Sequence, residues 1–220
     1  EMCIRDRGLT ASRQRSIWTL RRARMLDFAA NRLWLDVHHL EAPAGAHQLS
    51  VEFETTAGDA AGFARSALRV PDFASPDLMM SDVLLAYSAE AEAVAPAPEG
   101  YIQRQGYTLL PAPWGVYGQG QPLYLYFEVY NLRANPAGTA RYRIEAVLTP
   151  QTEARRGRRL RDRLFRRRAG EGVSVRFNAT ASGPDDAQYL ILDTADQPPG
   201  VYELVVRVHD EEGEGTAEAR

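Results

Sequence analysis

The sequence contains no lysine, and all 26 of its basic residues are arginine. That excludes mechanisms built on a lysine amine, such as Schiff-base catalysis or a phosphate loop with its lysine on the β- and γ-phosphates. Cysteine is nearly absent too: Cys3 stands alone, so no disulfide can form within the chain. No apolar run approaches the roughly 20 residues of a membrane-spanning helix. No Gly-x-Ser-x-Gly elbow surrounds any serine, and no acidic loop has the spacing of a calcium site.

Cys3 sits in Glu1-Met2-Cys3-Ile4-Arg5-Asp6-Arg7, a heptad similar to the translation of a transposase adapter used in sequencing libraries. Residues 1–7 are therefore expected to be an assembly scar that packs against nothing. Residues 8–22 are polar and basic and are expected to be poorly ordered or partly helical.

What the chain does have is a period of two. In the stretch from Gln121 to Thr149, Leu123, Leu125, Phe127 and Val129 alternate with Tyr124, Tyr126, Glu128 and Tyr130. Successive strand residues point to opposite faces, so the first set is expected in a core and the second outside it. Tyr142, Ile144, Ala146 and Leu148 repeat the alternation, and Asn135-Pro136-Ala137-Gly138 between them has turn chemistry. The pattern predicts two long antiparallel strands paired as a hairpin.

Similar segments recur at intervals of about ten residues, which suggests sandwiches. Strands are expected near 24–29, 32–38, 47–54 and 61–70, with Phe63 and Leu68 as anchors of the last. Further strands are expected at 78–86, 107–111, 172–178, 188–193 and 201–209. A hairpin turn at 211–215 and a short return strand complete the series. The fold class expected is all-β: two consecutive Ig-like β-sandwich modules, the first incomplete, in a fragment of a larger protein. The first module covers 8–72, 73–77 is a junction, and 78–220 is the second, with an Arg-rich insertion at about 151–170.

Three segments together resemble the C-terminal β-rich region of bacterial GWxTD-domain proteins. They are Leu78-Met79-Met80-Ser81-Asp82-Val83-Leu84-Leu85-Ala86, then Leu123 through Leu132, then Pro199 through Asp210. The resemblance covers about residues 60–212. The family's signature Gly-Trp-x-Thr-Asp is absent (Trp114-Gly115 has the reverse order) and would lie upstream. The resemblance implies an accessory module of a larger bacterial protein.

The largest compositional anomaly is Arg155, Arg156, Arg158, Arg159, Arg161, Arg163, Arg166, Arg167 and Arg168. Residues 151–170 carry these nine arginines against Glu153 and Asp162, a net +7, which leaves −10 on the rest of a chain totalling −3. Clustered guanidiniums can contact nucleic-acid or lipid phosphates and release counterions. The simpler expectation is a solvated loop between strands, because no nucleic-acid-binding fold accompanies the run. Leu160, Leu164 and Phe165 could place one apolar helical edge on the sandwich. Tyr124, Tyr126 and Tyr130 would offer bases a stacking face.

Other constellations fare no better. Asp36, His38, His39 and His47 invite a metal, but adjacent histidines on a strand diverge. Asp185, Asp186, Asp193 and Asp196 lack calcium-loop spacing. Ser81-Asp82 fits hydrogen bonding at a strand bend better than a nucleophile with its partner, and Asp82 with Glu128 lacks support as a carboxylate pair. Trp34 and Trp114 could stack on sugars but more often such residues fill core.

The function expected is a non-catalytic accessory or interaction module, with no catalytic residue, metal or cofactor. Its partner would be a protein or an envelope polymer, in an extracytoplasmic setting. The alternatives are the accessory tail of an enzyme, such as a protease, with its catalytic domain upstream, and polyanion binding through the Arg run.

Overall fold

The computed structural model describes residues 2–6, 15–18, 24–28, 31–35, 37–54, 61–91, 98, 100–151, 172–213 and 215–219. Their secondary structure is all-β, in antiparallel sheets that do not close into a barrel. The chain divides into two compact units, 1–75 with 94–102, and 76–93 with 103–220.

The first unit holds a four-stranded sheet in the order β2-β1-β5-β6 and a two-stranded sheet β3-β4. The strands are β1 (Met2–Asp6), β2 (Arg15–Trp18), β3 (Arg24–Phe28), β4 (Asn31–Leu35), β5 (Gly45–Glu54) and β6 (Ala61–Val70). Residues 2–6 were expected to pack against nothing, and this is corrected. Strand β1 lies between β2 and β5, with Met2 opposite Phe53 and Asp6 opposite Leu49. Met-Cys-Ile-Arg-Asp is a short segment of adequate β-propensity, and an open strand edge accepts such a segment whatever its origin. Strand β2 likewise replaces part of the expected unstructured or helical stretch. Phe63 and Leu68 are also corrected: they are 72% and 44% exposed, not anchors of a core.

The second unit is a β-sandwich. One sheet runs β14-β11-β8-β10-β9, with β7 also paired to β11; the other runs β13-β12-β15-β16. Its strands are β7 (Met79–Met80), β8 (Leu84–Ala91), β9 (Ile102–Arg104), β10 (Tyr107–Pro111), β11 (Leu123–Tyr130), β12 (Ala140–Pro150), β13 (Val173–Ala181), β14 (Asp186–Leu192), β15 (Tyr202–Asp210) and β16 (Thr216–Ala219). The inward faces meet as the alternation requires. Leu125, Phe127 and Val129 face Tyr142, Ile144 and Ala146, and all six are 0% exposed. Leu190, Leu192, Val206 and Val208 close the core from the flanking strands. Burying a side chain such as Phe127 is worth about 1.5–3 kcal/mol.

The expected hairpin of β11 and β12 is not formed. Strand β11 pairs with β14, β8 and β7, and β12 pairs with β13 and β15. The two strands belong to opposite sheets. Alternation sets which face of a strand is apolar, and two apolar faces can meet across a core as well as side by side. The connection is pinned at each step of the crossing. Asn131 leaves β11 with φ +63, a conformation that asparagine tolerates. Leu132 donates its N–H to Pro184 O at 2.7 Å, and Arg133 donates to Asp210 Oδ2 at 2.8 Å. The turn itself lies where expected: Gly138 N–H donates to Asn135 O at 2.9 Å, with φ +80.

The expected strand 78–86 is broken into β7 and β8. Ser81 lies at the break. Its Oγ accepts the Glu128 N–H at 2.9 Å, and its own N–H donates to Glu128 O at 2.9 Å. The serine therefore serves the backbone, as expected of a strand bend.

Candidate functional site

One end of the second sandwich opens into a cleft of about 430 Å³. Its walls are strand ends from both sheets: Leu85 of β8, Leu123 of β11, Leu148 of β12, and Tyr202 and Leu204 of β15. Two glycine- and proline-rich loops, 112–122 and 193–201, complete it. The first loop starts where Ala112 N–H donates to Leu85 O at 2.7 Å. It closes on Gln121, whose Oε1 accepts the Gly118 N–H at 3.1 Å while its own N–H donates to Gly118 O at 3.0 Å. Thr194 Oγ1 donates to Gln121 O at 2.7 Å and so ties the second loop to the first.

Two tyrosines line the cleft with their hydroxyls already committed. Tyr117 donates to Ala86 O at 3.1 Å, and Tyr202 donates to Pro198 O at 2.5 Å. Burial, then the neighbouring Tyr87, pushes the Tyr117 hydroxyl upward, so it stays a neutral donor. The Tyr87 and Tyr117 rings lie 5.4 Å apart, tilted by 58°. None of the described residues lining the cleft carries a charge, in a chain that is 25% charged. Two of the lining residues are exposed and apolar: Val116 and Val201 are 62% and 69% exposed. Gln197, at the wall, keeps its Oε1 out of solvent with no hydrogen-bond donor.

The titratable groups of this unit cluster elsewhere. Glu128 points outward from β11 yet is only 3% exposed. The reason is that Arg104 and Tyr107, from the β9–β10 hairpin further along the same sheet, reach across that face. Gln105 and Gly106 form the two-residue turn of that hairpin with φ +46 and +82, the mirror-image turn that suits strand twist. Arg104 Nε and Nη2 bind the two Glu128 oxygens, the second at 3.0 Å. Tyr126 donates to Oε1 at 2.6 Å, and Tyr130 donates to Oε2. Tyr107 packs its ring 5.7 Å from that of Tyr126 and 5.2 Å from that of Tyr189. Burial pushes the Glu128 carboxyl upward, but the three donors outweigh it and hold the carboxyl below its ordinary range. Burial pushes Tyr130 up to about 12, with Glu128 adding to the rise. A carboxylate with both oxygens occupied and its tyrosines locked neutral is a structural anchor, with no free lone pair directed at a substrate.

Two other acids are spent in the same way. Asp186 accepts from Tyr142 at 2.5 Å and Gln188 at 3.0 Å, across the core. Asp210, 5% exposed, accepts the N–H groups of Arg133 and Glu212.

The remaining sequence candidates separate. Asp82 is exposed while Glu128 is buried, so they make no pair. Asp185 Oδ1 caps Asn131 N–H, and Asp193 Oδ1 caps Ala195 N–H. His47 Nε2 donates to Pro43 O at 2.8 Å; His38 is half-buried and His39 exposed. Among the described residues no group of three or more His, Cys, Asp or Glu could hold a metal, and no helix is long and apolar enough to cross a membrane. Asp36, the Trp34 side chain and the whole Arg run from Arg155 to Arg168 lie outside the described residues. The flanks of that run are described. Gln151 N–H donates to Val201 O at 2.7 Å at the cleft end, and Gly172 stands so close to Leu148 that an added Cβ would lie 2.1 Å from its carbonyl oxygen.

No family model matches the chain, and no curated protein does. A solved structure does match: a DUF4785 family protein from Legionella pneumophila, at 13% identity. The match covers 98% of this chain and 45% of that one, with a TM-score of 0.28. The chain thus spans less than half the length of that protein, and the likeness is too slight to carry an argument about fold or function.

Sequence reasoning missed Arg104, Tyr117, Gln197 and Tyr202 as participants. The usable signals were the Gly-rich 115–120 and the Pro-Pro-Gly at 198–200, two breaker clusters placed at strand ends.

Proposed function

We propose that this chain is a non-catalytic, Ig-like interaction module of a larger bacterial protein, and that it recognises its partner at the open end of the second sandwich. The observation that carries the reading is the cleft itself, whose described lining is uncharged and whose Val116 and Val201 are exposed. Contiguous exposed apolar surface beside an apolar cavity is the usual mark of a binding site. The buried acids Glu128 and Asp210 and the half-buried Asp186 are each held by neighbouring donors, so these three are committed to structure.

The test uses the neutral dye Nile red and the full chain. Its fluorescence should rise on binding. Val116→Asp combined with Val201→Asp should abolish the rise without changing the circular dichroism spectrum. Dye binding that ignores both substitutions would remove the cleft from consideration.

A further inference from the structure

We propose that the outer face of the β13-β12-β15-β16 sheet docks an aspartate or glutamate side chain of a partner protein at Arg143. The site shares no residue with the cleft and does not rest on it. The strand register sets this face out in rows. Arg176, Glu145, Arg207 and Glu218 lie side by side across the sheet. That row is paired within itself. Arg176 Nη2 donates to Glu145 Oε1 at 2.5 Å, Arg207 Nη1 lies 3.9 Å from Glu145 Oε2, and Arg207 Nε donates to Glu218 Oε2 at 2.6 Å. The next row is Asn178, Arg143, His209 and Thr216, and each of these side chains can donate a hydrogen bond. Arg141, one row further along, is held by Glu212 at 2.8 Å. The acids on either side of the Arg143 row are therefore already engaged, while Arg143 stands exposed on the central strand.

Residues directly opposite on adjacent strands have Cβ atoms about 4.5–5.5 Å apart. The Asn178 amide and the His209 ring thus flank the Arg143 guanidinium. His209 Nδ1 lies 2.9 Å from Thr216 Oγ1. With the Thr216 hydroxyl donating there, the ring proton sits on Nε2 and adds a second N–H to the row. A carboxylate takes the guanidinium fork through two parallel bonds, and its remaining lone pairs accept from Asn178 and His209. One guanidinium beside a neutral imidazole and an amide matches the single charge of a carboxylate. The same face already holds glutamate carboxylates on Arg141, Arg176 and Arg207, so the geometry suits that side chain. A protein segment is favoured over a free acid because the site is an open sheet face. A segment lying on it adds contacts at the exposed Ser174 and Thr180, which a small acid lacks.

The experiment follows the arginine Nε–H and histidine ring signals of the full chain by NMR at constant ionic strength. The probes are N-acetyl-Ala-Glu-Ala-amide, its glutamine counterpart, acetate and inorganic phosphate. The glutamate peptide should shift the Arg143 and His209 signals to saturation and move those of Arg141, Arg176 and Arg207 less. The glutamine peptide should leave Arg143 unmoved, and acetate and phosphate should bind there more weakly than the glutamate peptide. Arg143→Lys keeps the charge but loses the fork, and should weaken the response of His209 by about fivefold, the size of one exposed hydrogen bond. The wild-type comparisons decide the matter even if that variant fails to fold. A linear shift shared by all the arginines would mean screening by an adventitious ion only, and would overturn the proposal. Equal action of the glutamine peptide, tighter binding of acetate or phosphate at Arg143, or an unchanged His209 response in Arg143→Lys would each overturn it as well. None of these outcomes bears on the cleft, which the dye measurement tests separately.

Discussion

Strands β11 and β6 make an instructive pair. Both were read as strands, each carries a phenylalanine, and both were expected to put that ring in a core. Phe127 of β11 is 0% exposed and Phe63 of β6 is 72% exposed. Strand β11 has a neighbour on each side and a covered surface above and below; even its outward Tyr126 and Glu128 are 3% exposed. Among the described residues, strand β6 pairs with β5 alone and is the edge of its sheet, and most of its residues are exposed. The difference shows that composition and flanking turns can specify a strand, while burial depends on what other segments bring to its faces.

The comparison can be broken most decisively at Phe127. Phe127→Ala should cost about 3–5 kcal/mol through lost burial and a residual cavity. Urea unfolding monitored at Trp114, the tryptophan of the second unit, would measure it. A cost under about 1 kcal/mol would mean that the core is misassigned.

Tyr126→Ala comes next, at about 3 kcal/mol. It removes a ring packed against Tyr107 and one of the donors to Glu128. A small effect here would show that the β9–β10 hairpin does not reach across to β11.

The Glu128 anchor sharpens the comparison through pH. Its folded carboxyl lies below the unfolded value of 4.5. Its stabilisation is therefore fully present above 4.5 and is lost as pH falls through the lower, folded value. Glu128→Gln should cost about 2 kcal/mol at pH 7, and its stability should fall less steeply than that of the wild type below pH 4.5. Parallel acid curves for the two proteins would contradict this assignment. Glu145, on the outer face of β12 and lowered chiefly by its bond from the exposed Arg176, should contribute little when neutralised.

The smallest effect belongs to β6. Phe63→Ala should change stability by less than about 0.5 kcal/mol, as surface substitutions do. Its ring lies beside the Arg65 guanidinium, 5.5 Å from the centroid, and a loss approaching that of Phe127 would place β6 in a core after all.

Much of the architecture was legible because alternation is a local signal. Strands β5, β6, β10, β11, β12, β14 and β15 all fall where the pattern placed them, and Tyr202, Leu204, Val206 and Val208 share one face of β15 as read. Pairing was less legible, since nothing in 121–149 distinguishes a hairpin from a crossing between sheets. The β9–β10 hairpin was missed for a specific reason. Its turn is Gln105-Gly106, and glutamine is a rare residue at a positive φ where asparagine or aspartate would have announced the turn. Without that hairpin the Tyr126 face looked solvated and Glu128 looked available. The cleft was least legible, because its residues are separated widely in sequence and are ordinary leucines, tyrosines and glycines until the strand ends bring them together.

The crossing from β11 to β12 also fixes an order of events during synthesis. Strand β11 can meet β7 and β8 as soon as it leaves the ribosome, but its other neighbour, β14, begins only at Asp186. At roughly 5–20 residues per second, the edge of β11 stays open for several seconds. An apolar strand with a free edge is prone to pair with the wrong chain. The segment synthesised in that interval includes residues 151–170, with their nine arginines. Completion of this sheet therefore has to wait for the chain that follows those arginines.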